Sequence, residues 1–272
     1  MEWFILFIVG VVGGVIGSLM GLGGGVIVVP ALLYLSAYGL IGDISPQLAV
    51  GTSLLAVIAT GLSSTLAYYK KGNVDIKSGL LFFIGSGPGG VFGSWLNGFL
   101  DAETFTLYFG IFIILVSLLL FLQNRLTPVD LPKDNRVMMT YVDAKGIEHQ
   151  YGYHLPIAVI ISFVVGCTSG LFGIGGGALM VPAMLLLFRF PPHIAVATSM
   201  FMILLSSTTS SLTHLYLGNI EWILALLLVP GAWFGAKMGA AINTRLKPVT
   251  VVLLLRIFLL IFGLRLIIDG LL

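Results

Sequence analysis

The stretch Gly21–Leu33, GLGGGVIVVPALL, puts three successive glycines at the head of an apolar run, and Gly173–Leu185, GIGGGALMVPAML, does so again. Glycine is the poorest ordinary helix former, about 1 kcal/mol worse than alanine at each interior position. Each cluster therefore predicts a break in a helix. The apolar runs that follow, 26 to 38 and 178 to 190, hold 13 residues each. As helix that is about 20 Å, short of the roughly 30 Å hydrocarbon core of a bilayer. They read as half-helices or as the returning limbs of re-entrant hairpins.

The surroundings of these runs decide the class of protein. Of 272 residues 58% are hydrophobic and only 9% charged, against roughly 25% charged in a soluble domain. Mean hydropathy is +1.10, so the chain reads as an integral membrane protein. Apolar segments recur to the last residue, and Met1-Glu2-Trp3 lacks a basic leader, so a cleaved secretory signal is not expected. The single Cys167 excludes an intrachain disulfide, and no CxxC or HExxH motif suggests a metal. Cys167 is expected to pack as a small residue. No cofactor or nucleic-acid partner is indicated, and no motif encodes an oligomeric state.

Apolar segments fall at about 3–20, 26–38, 47–69, 76–99 and 104–122, then at 154–171, 178–190, 193–216, 221–243 and 248–269. Five are followed by five, and the halves match by residue. Gly21, Gly23, Gly24, Gly25, Val29, Pro30 and Ala31 recur at one constant spacing as Gly173, Gly175, Gly176, Gly177, Val181, Pro182 and Ala183. At a slightly shorter spacing Thr52, Ser53, Ser64, Gly85, Gly89 and Gly93 recur as Thr198, Ser199, Ser210, Gly231, Gly235 and Gly239. The chain is a duplication: 1–122 a first transmembrane repeat, 123–153 a polar linker, 154–272 a second repeat.

The positive residues orient the copies, because cytoplasmic loops near span ends keep Lys and Arg. If each copy crosses an odd net number of times from outside, Lys70, Lys71, Lys77, Arg125, Lys133, Arg136, Lys145, Arg189, Arg245 and Lys247 share one side. The other side keeps Asp101, Glu103, Glu221 and Asp269, with only Arg265. An even number would split the cations. The expected fold is thus an all-α polytopic membrane helix bundle of two inverted repeats, with a cytoplasmic linker and both termini outside. β-favouring runs around Asp143-Ala144-Lys145-Gly146 allow a small hairpin in the linker, with disorder as the alternative.

Irregular backbone at membrane depth survives only inside protein or against a wet cavity. The glycine turns therefore belong in the interior, where a following helix directs free N–H groups and its positive end into the gap, a suitable place for an anion. Broken helices at matched positions of two inverted halves point to a transporter's binding site. The candidate substrate-binding residues are Gly23, Gly24, Gly25, Gly175, Gly176 and Gly177, together with the hydroxyls of Thr52, Ser53, Thr198 and Ser199. The competing readings are close helix packing for the glycines and backbone bonding for the hydroxyls. On the cavity reading, valine at Gly24 or Gly176 blocks substrate and leaves the fold intact. Gly85, Gly89, Gly93 and their counterparts lie at i, i+4, i+8 and predict a tight helix seam, so valine at Gly89 disturbs the fold. Lys237 and Arg256 are the cations well inside apolar spans. They either attract an anion from the bundle interior or snorkel to the interface. His214, aligned with Tyr68, is expected in the core or at the surface.

At the two glycine-rich segments and the Thr-Ser pairs, the chain resembles the sulfite exporter TauE/SafE-like family of bacterial and archaeal membrane transporters, over nearly its whole length. The resemblance implies export of a small sulfur oxyanion or organosulfonate, such as sulfite or sulfoacetate, across the inner (plasma) membrane. The reading is a secondary transporter working by alternating access and not an enzyme, with a small anionic substrate, the lipid bilayer as surroundings, and coupling to a proton, a cation or the substrate gradient. An anion channel and a non-transporting membrane sensor or scaffold are the alternatives.

Overall fold

The computed structural model describes residues 2–122, 136–142, 148–243 and 249–270. The first copy forms α1 (Glu2–Met20), α2 (Gly25–Ala37), α3 (Pro46–Tyr69), α4 (Ile76–Asn97) and α5 (Ala102–Leu122). The second forms α6 (Leu155–Phe172), α7 (Gly177–Leu186), α8 (Pro192–Tyr216), α9 (Trp222–Ile242) and α10 (Val249–Asp269). Among the described residues seven of these helices are long and apolar enough to cross a membrane, while α2 and α7 are shorter. Mid-helix Ile84, Ile160, Leu226 and Ile261 are each more than 60% exposed. Apolar side chains so placed fit a lipid surround and not water, and the protein is a multi-pass membrane protein.

The expected segment bounds hold closely except for the seventh. Its helix ends at Leu186, short of the expected residue 190. Phe188 and Phe190 turn away to pack on Tyr151 and Tyr153, Arg189 takes a positive φ of 56°, and Pro191-Pro192 begins the next helix. The linker does form a hairpin, β1 (Arg136–Val142) antiparallel to β2 (Glu148–His154), with Met139 opposite Tyr151. The turn expected at 143 to 146, and the linker from 123 to 135, lie outside the described residues.

The short helices re-enter. Trp3, at the start of α1, lines one cleft with Ile41, beyond the end of α2, and with Glu221, before α9. The α1–α2 limb thus enters and leaves at one end of the bundle. At the opposite end Gly152 of β2 donates from its N–H to the Phe188 carbonyl just beyond α7, at 3.2 Å. The α6–α7 limb enters and leaves there, beside the hairpin, so the copies are inverted.

α3 and α8 form the centre: 72% and 67% of an 18-residue apolar stretch of each is buried, against 33% for α1. Around them the copies exchange helices, α1 packing on α9 and α4 on α6. Glycine makes both seams. A Cβ on Gly10 would meet the Leu228 carbonyl and one on Gly235 the Val11 carbonyl; Gly85 and Gly89 face the Val159 and Phe163 carbonyls in the same way. Backbones this close gain dispersion and Cα–H···O contacts. The seam expected at Gly85, Gly89 and Gly93 therefore joins the two copies, and Cys167 is the small residue beneath Gly93.

Candidate functional site

Each glycine turn makes a helix start in a conformation that L side chains rarely adopt. The caps of α2 and α7 are Gly24, φ 87° and ψ −19°, and Gly176, φ 76° and ψ −17°, both left-handed. No side chain caps either start. Within each first turn the Gly24 carbonyl accepts from Ile27 and Val28, and the Gly176 carbonyl from Leu179 and Met180. Among the described residues no acceptor meets the N–H groups of Gly25 and Val26, or those of Gly177 and Ala178. All four residues are buried. Helix starts ordinarily leave such groups to water or to a capping side chain, and here they lie in the middle of a membrane protein.

At the opposite ends of the same breaks, side chains reach two of the last carbonyls of each helix. The last carbonyls of α1 receive Tyr68 Oη at Ser18, 2.9 Å, and Asn243 Nδ2 at Leu19, 2.7 Å. Those of α6 receive His214 Nε2 at Gly170, 2.9 Å, and Asn97 Nδ2 at Leu171, 2.8 Å. The two sets correspond through the repeat, which gives His214 its place in the core and makes it the counterpart of Tyr68. Side chains thus quench carbonyls at the one end of each break and, among the described residues, no side chain meets the N–H groups at the other, which leaves a positive bias at the centre suited to an anion.

The two turns meet. A Cβ built on Gly175 would lie 3.6 Å from the Gly23 α-carbon, and one on Gly23 would lie 3.3 Å from the Ile174 carbonyl oxygen. Cβ atoms on Gly25 and Gly177 would overlap the Gly173 and Gly21 carbonyl oxygens. Gly23, Gly25, Gly175 and Gly177 thus approach the opposite turn's backbone closely, while Gly24 and Gly176 of the same turns face helices of their own copy. The glycine clusters predict a polar cavity at this place; in this conformation the two turns close on each other. Gly24 in addition packs on Gly13, whose carbonyl oxygen would be 2.6 Å from an added Cβ, and Gly176 on Val165. Valine at Gly24 or Gly176 therefore disturbs the fold as well as any path, because the positive φ and the neighbouring helix both oppose a side chain.

The four hydroxyls surround this contact in matched roles. Ser53 Oγ donates toward the Val50 carbonyl of its own helix, 2.8 Å, and the Gly173 carbonyl of the opposite turn, 3.1 Å. Ser199 Oγ does the same toward Val196 and Gly21, at 2.8 and 3.1 Å. Thr52 Oγ1 accepts the N–H of Glu221 at 2.9 Å, and Thr198 Oγ1 that of Asp75 at 3.0 Å. The serines tie α3 and α8 to the turns, and the threonines tie them to the loops entering α9 and α4.

Lys237 stands apart from this cluster, exposed on α9 while its neighbours Gly235, Ala236, Gly239 and Ala240 are buried. That placement suits a snorkelling lysine. The side chain of Arg256 lies outside the described residues. Two central residues had no part in the sequence reading. Val57 and Ile203 are fully buried, and their methyl groups are the nearest side-chain atoms to Cβ positions on both Gly23 and Gly175, at 2.7–3.2 Å. They lie one helical turn beyond Ser53 and Ser199 and correspond through the repeat; that spacing was the available signal.

A cleft of about 340 Å³ opens between α2, α5 and α10 at the end away from the hairpin, lined by Tyr34, Glu103, Arg265 and Asp269 among others. There Arg265 donates to Tyr38 Oη at 2.9 Å and pairs with Asp269 at 3.6 Å. This cleft does not reach the glycine turns.

The sulfite exporter TauE/SafE family matches residues 6–266 of the chain. The "Probable membrane transporter protein YunE" of Bacillus subtilis is 51% identical over 271 residues, 99% of each chain. A probable membrane transporter protein of Methanocaldococcus jannaschii is 29% identical over 254 residues, covering 90% of this chain and 87% of its own. One from Xylella fastidiosa is 29% identical over 236 residues, 86% and 83% of the two chains. No solved structure matches. The chain belongs to the sulfite exporter TauE/SafE family, whose members are named as membrane transporters and not as enzymes.

Proposed function

We propose that this TauE/SafE-family transporter is a secondary carrier of a small anion, exporting sulfite or an organosulfonate such as sulfoacetate by alternating access. The observation that carries the reading is the pair of buried helix starts at the two glycine turns, whose N–H groups meet no acceptor among the described residues. An oxyanion supplies what those groups lack. It accepts several N–H bonds at once and meets the positive ends of two helices approaching from opposite ends of the bundle. Thr52, Ser53, Thr198 and Ser199 add hydroxyls when the turns part. The Ser53 and Ser199 bonds to the opposite turn hold the closed state, and exchanging them for bonds to substrate couples binding to opening.

Direct contact between the turns favours a carrier over a channel, because a channel needs a continuous wet path. In the cell the hairpin end faces the cytoplasm, which puts Lys70, Lys71, Lys77 and Arg189 there and leaves Glu2 and Asp269 outside the inner membrane. Coupling is to a proton, a cation or the substrate gradient.

Counterflow into proteoliposomes tests the reading, with sulfite, sulfoacetate, thiosulfate, sulfate and acetate as probes. Saturable counterflow of at least one sulfur oxyanion is expected, with acetate weaker. A linear, unsaturable flux would indicate a channel. No flux and no thermal stabilisation by any probe would remove the proposal.

A further inference from the structure

The buried faces of α3 and α8 carry the same pattern. Ser53, Thr60 and Ser64 follow one another along α3 at helical spacing, and Ser199, Ser206 and Ser210 follow along α8. All six are no more than 1% exposed. Among the described residues Ser64 Oγ and Ser210 Oγ meet no hydrogen-bond partner, although a buried hydroxyl ordinarily finds one. Each row is interrupted at one place, by Val57 in α3 and Ile203 in α8. These two residues correspond through the repeat and lie against both glycine turns: Val57 Cγ1 and Ile203 Cγ2 would each be 3.2 Å from a Cβ on Gly23. Ile203 Cδ1 would be 2.6 Å from a Cβ on Gly177, at the start of α7.

We infer that Val57 and Ile203 form a hydrophobic gate that interrupts both hydroxyl rows at the glycine turns and sets the size of the anion that passes. The inference rests on the carrier reading of that site. An apolar constriction in a polar path excludes water and hydrated ions by dewetting. Two branched side chains do this with little adjustment, since β-branching holds χ1 stiff. An anion crosses when the turns separate far enough to bind it in place of the two side chains. The gap they leave then limits its girth, and a small oxyanion passes before a bulkier sulfonate.

Counterflow of sulfite, methanesulfonate and sulfoacetate, ordered by size, tests the gate. Val57→Thr keeps the shape and adds a hydroxyl, making the α3 row continuous; Ile203→Val removes one methyl from the same contact. Val57→Thr should raise basal sulfite leak about tenfold, the effect of one added hydrogen bond to a charged partner. Ile203→Val should shift relative rates toward sulfoacetate by a few fold, a pocket's response to one methylene. Thermal melting confirms that each variant is folded, and a raised leak in the first or a shifted size order in the second supports the gate. Unchanged leak and unchanged size order beside a transporting wild type would overturn the gate alone. A wild type that moves none of the three probes would overturn the carrier reading, and the gate with it.

Discussion

The two copies agree at their centre and diverge at their ends. Ser53 and Ser199 bond the opposite turns at the same 3.1 Å, and Thr52 and Thr198 hold the N–H groups of Glu221 and Asp75 at 2.9 and 3.0 Å. Beyond that point the likeness stops. Asp75 caps α4 by accepting the Ser78 N–H at 3.1 Å, and its carboxylate also receives Ser78 Oγ and Tyr151 Oη. Since Ser78 directs its proton to Asp75, Tyr153 Oη is the donor in its 3.0 Å bond to Ser78. Burial pushes the Tyr153 phenol above its ordinary pKa, which keeps that donor protonated. Its ring lies among Phe82, Phe188 and Phe190. Glu221, the counterpart of Asp75, caps α9 with no side-chain bond. Duplication thus preserved the part of the molecule that the inverted copies share, and the hairpin reinforced one end alone.

The symmetric centre is the harder part to disturb unequally. Gly25→Val and Gly177→Val should each abolish recovery of folded protein, because the new side chain overlaps a backbone carbonyl that is itself fixed by a serine. Overpacking costs about 1–3 kcal/mol where neighbours can shift; an overlap between two fixed backbones exceeds that range and the losses below. Size-exclusion yield and melting in detergent check it, and loss in only one variant would break the symmetry.

Next in size is Tyr153→Ala, which acts only at the hairpin end. Removing a large buried aromatic costs about 3–5 kcal/mol in a well-packed core, although here the hairpin can yield locally. Melting should fall clearly, and the Gly152–Phe188 region should gain amide exchange while the opposite end does not.

Asp75→Ala against Glu221→Ala sharpens the contrast directly. The first removes a cap and two hydroxyl partners, for a loss of about 1–2 kcal/mol. The second removes a side chain that caps nothing and should stay within about 0.5 kcal/mol. Equal losses would mean that the extra bonds at Asp75 add no stability. The smallest effect belongs to Lys237→Gln: an exposed, snorkelling lysine predicts unchanged anion counterflow and affinity, and a clear fall in affinity would place its charge in the path.

Much of this arrangement was legible because it rests on chemical contrast along the chain. Glycines inside an apolar run, hydroxyls repeated at matched positions and cations confined to one set of loops stand out from Val, Leu and Ile. They locate the breaks, the short returning helices and the inversion. Val57 and Ile203 have no such contrast; they are apolar residues in apolar helices, and only their spacing from the repeated serines marks them. The closure of the turns was equally hidden, because the same glycines suit a cavity or a backbone contact and tertiary packing chooses. Glycine spacing announced the seams at Gly85 and Gly231, but partner choice did not follow from periodicity. The aromatic packing that shortened α7 depends on a hairpin distant in sequence.

The pairing of α1 with α9 has a consequence for how the chain is made. α1 carries a glycine face whose backbone partner, around Leu228 and Ala232, is synthesised about 200 residues later. At 5–20 residues per second that wait is roughly 10–40 s. Throughout it the α1 seam lacks its partner, so the first copy cannot complete its packing before the second is made. Neither half is then an independent folding unit: each completes the other's helix pairs, and two separately expressed halves are expected to persist only when synthesised together in one membrane.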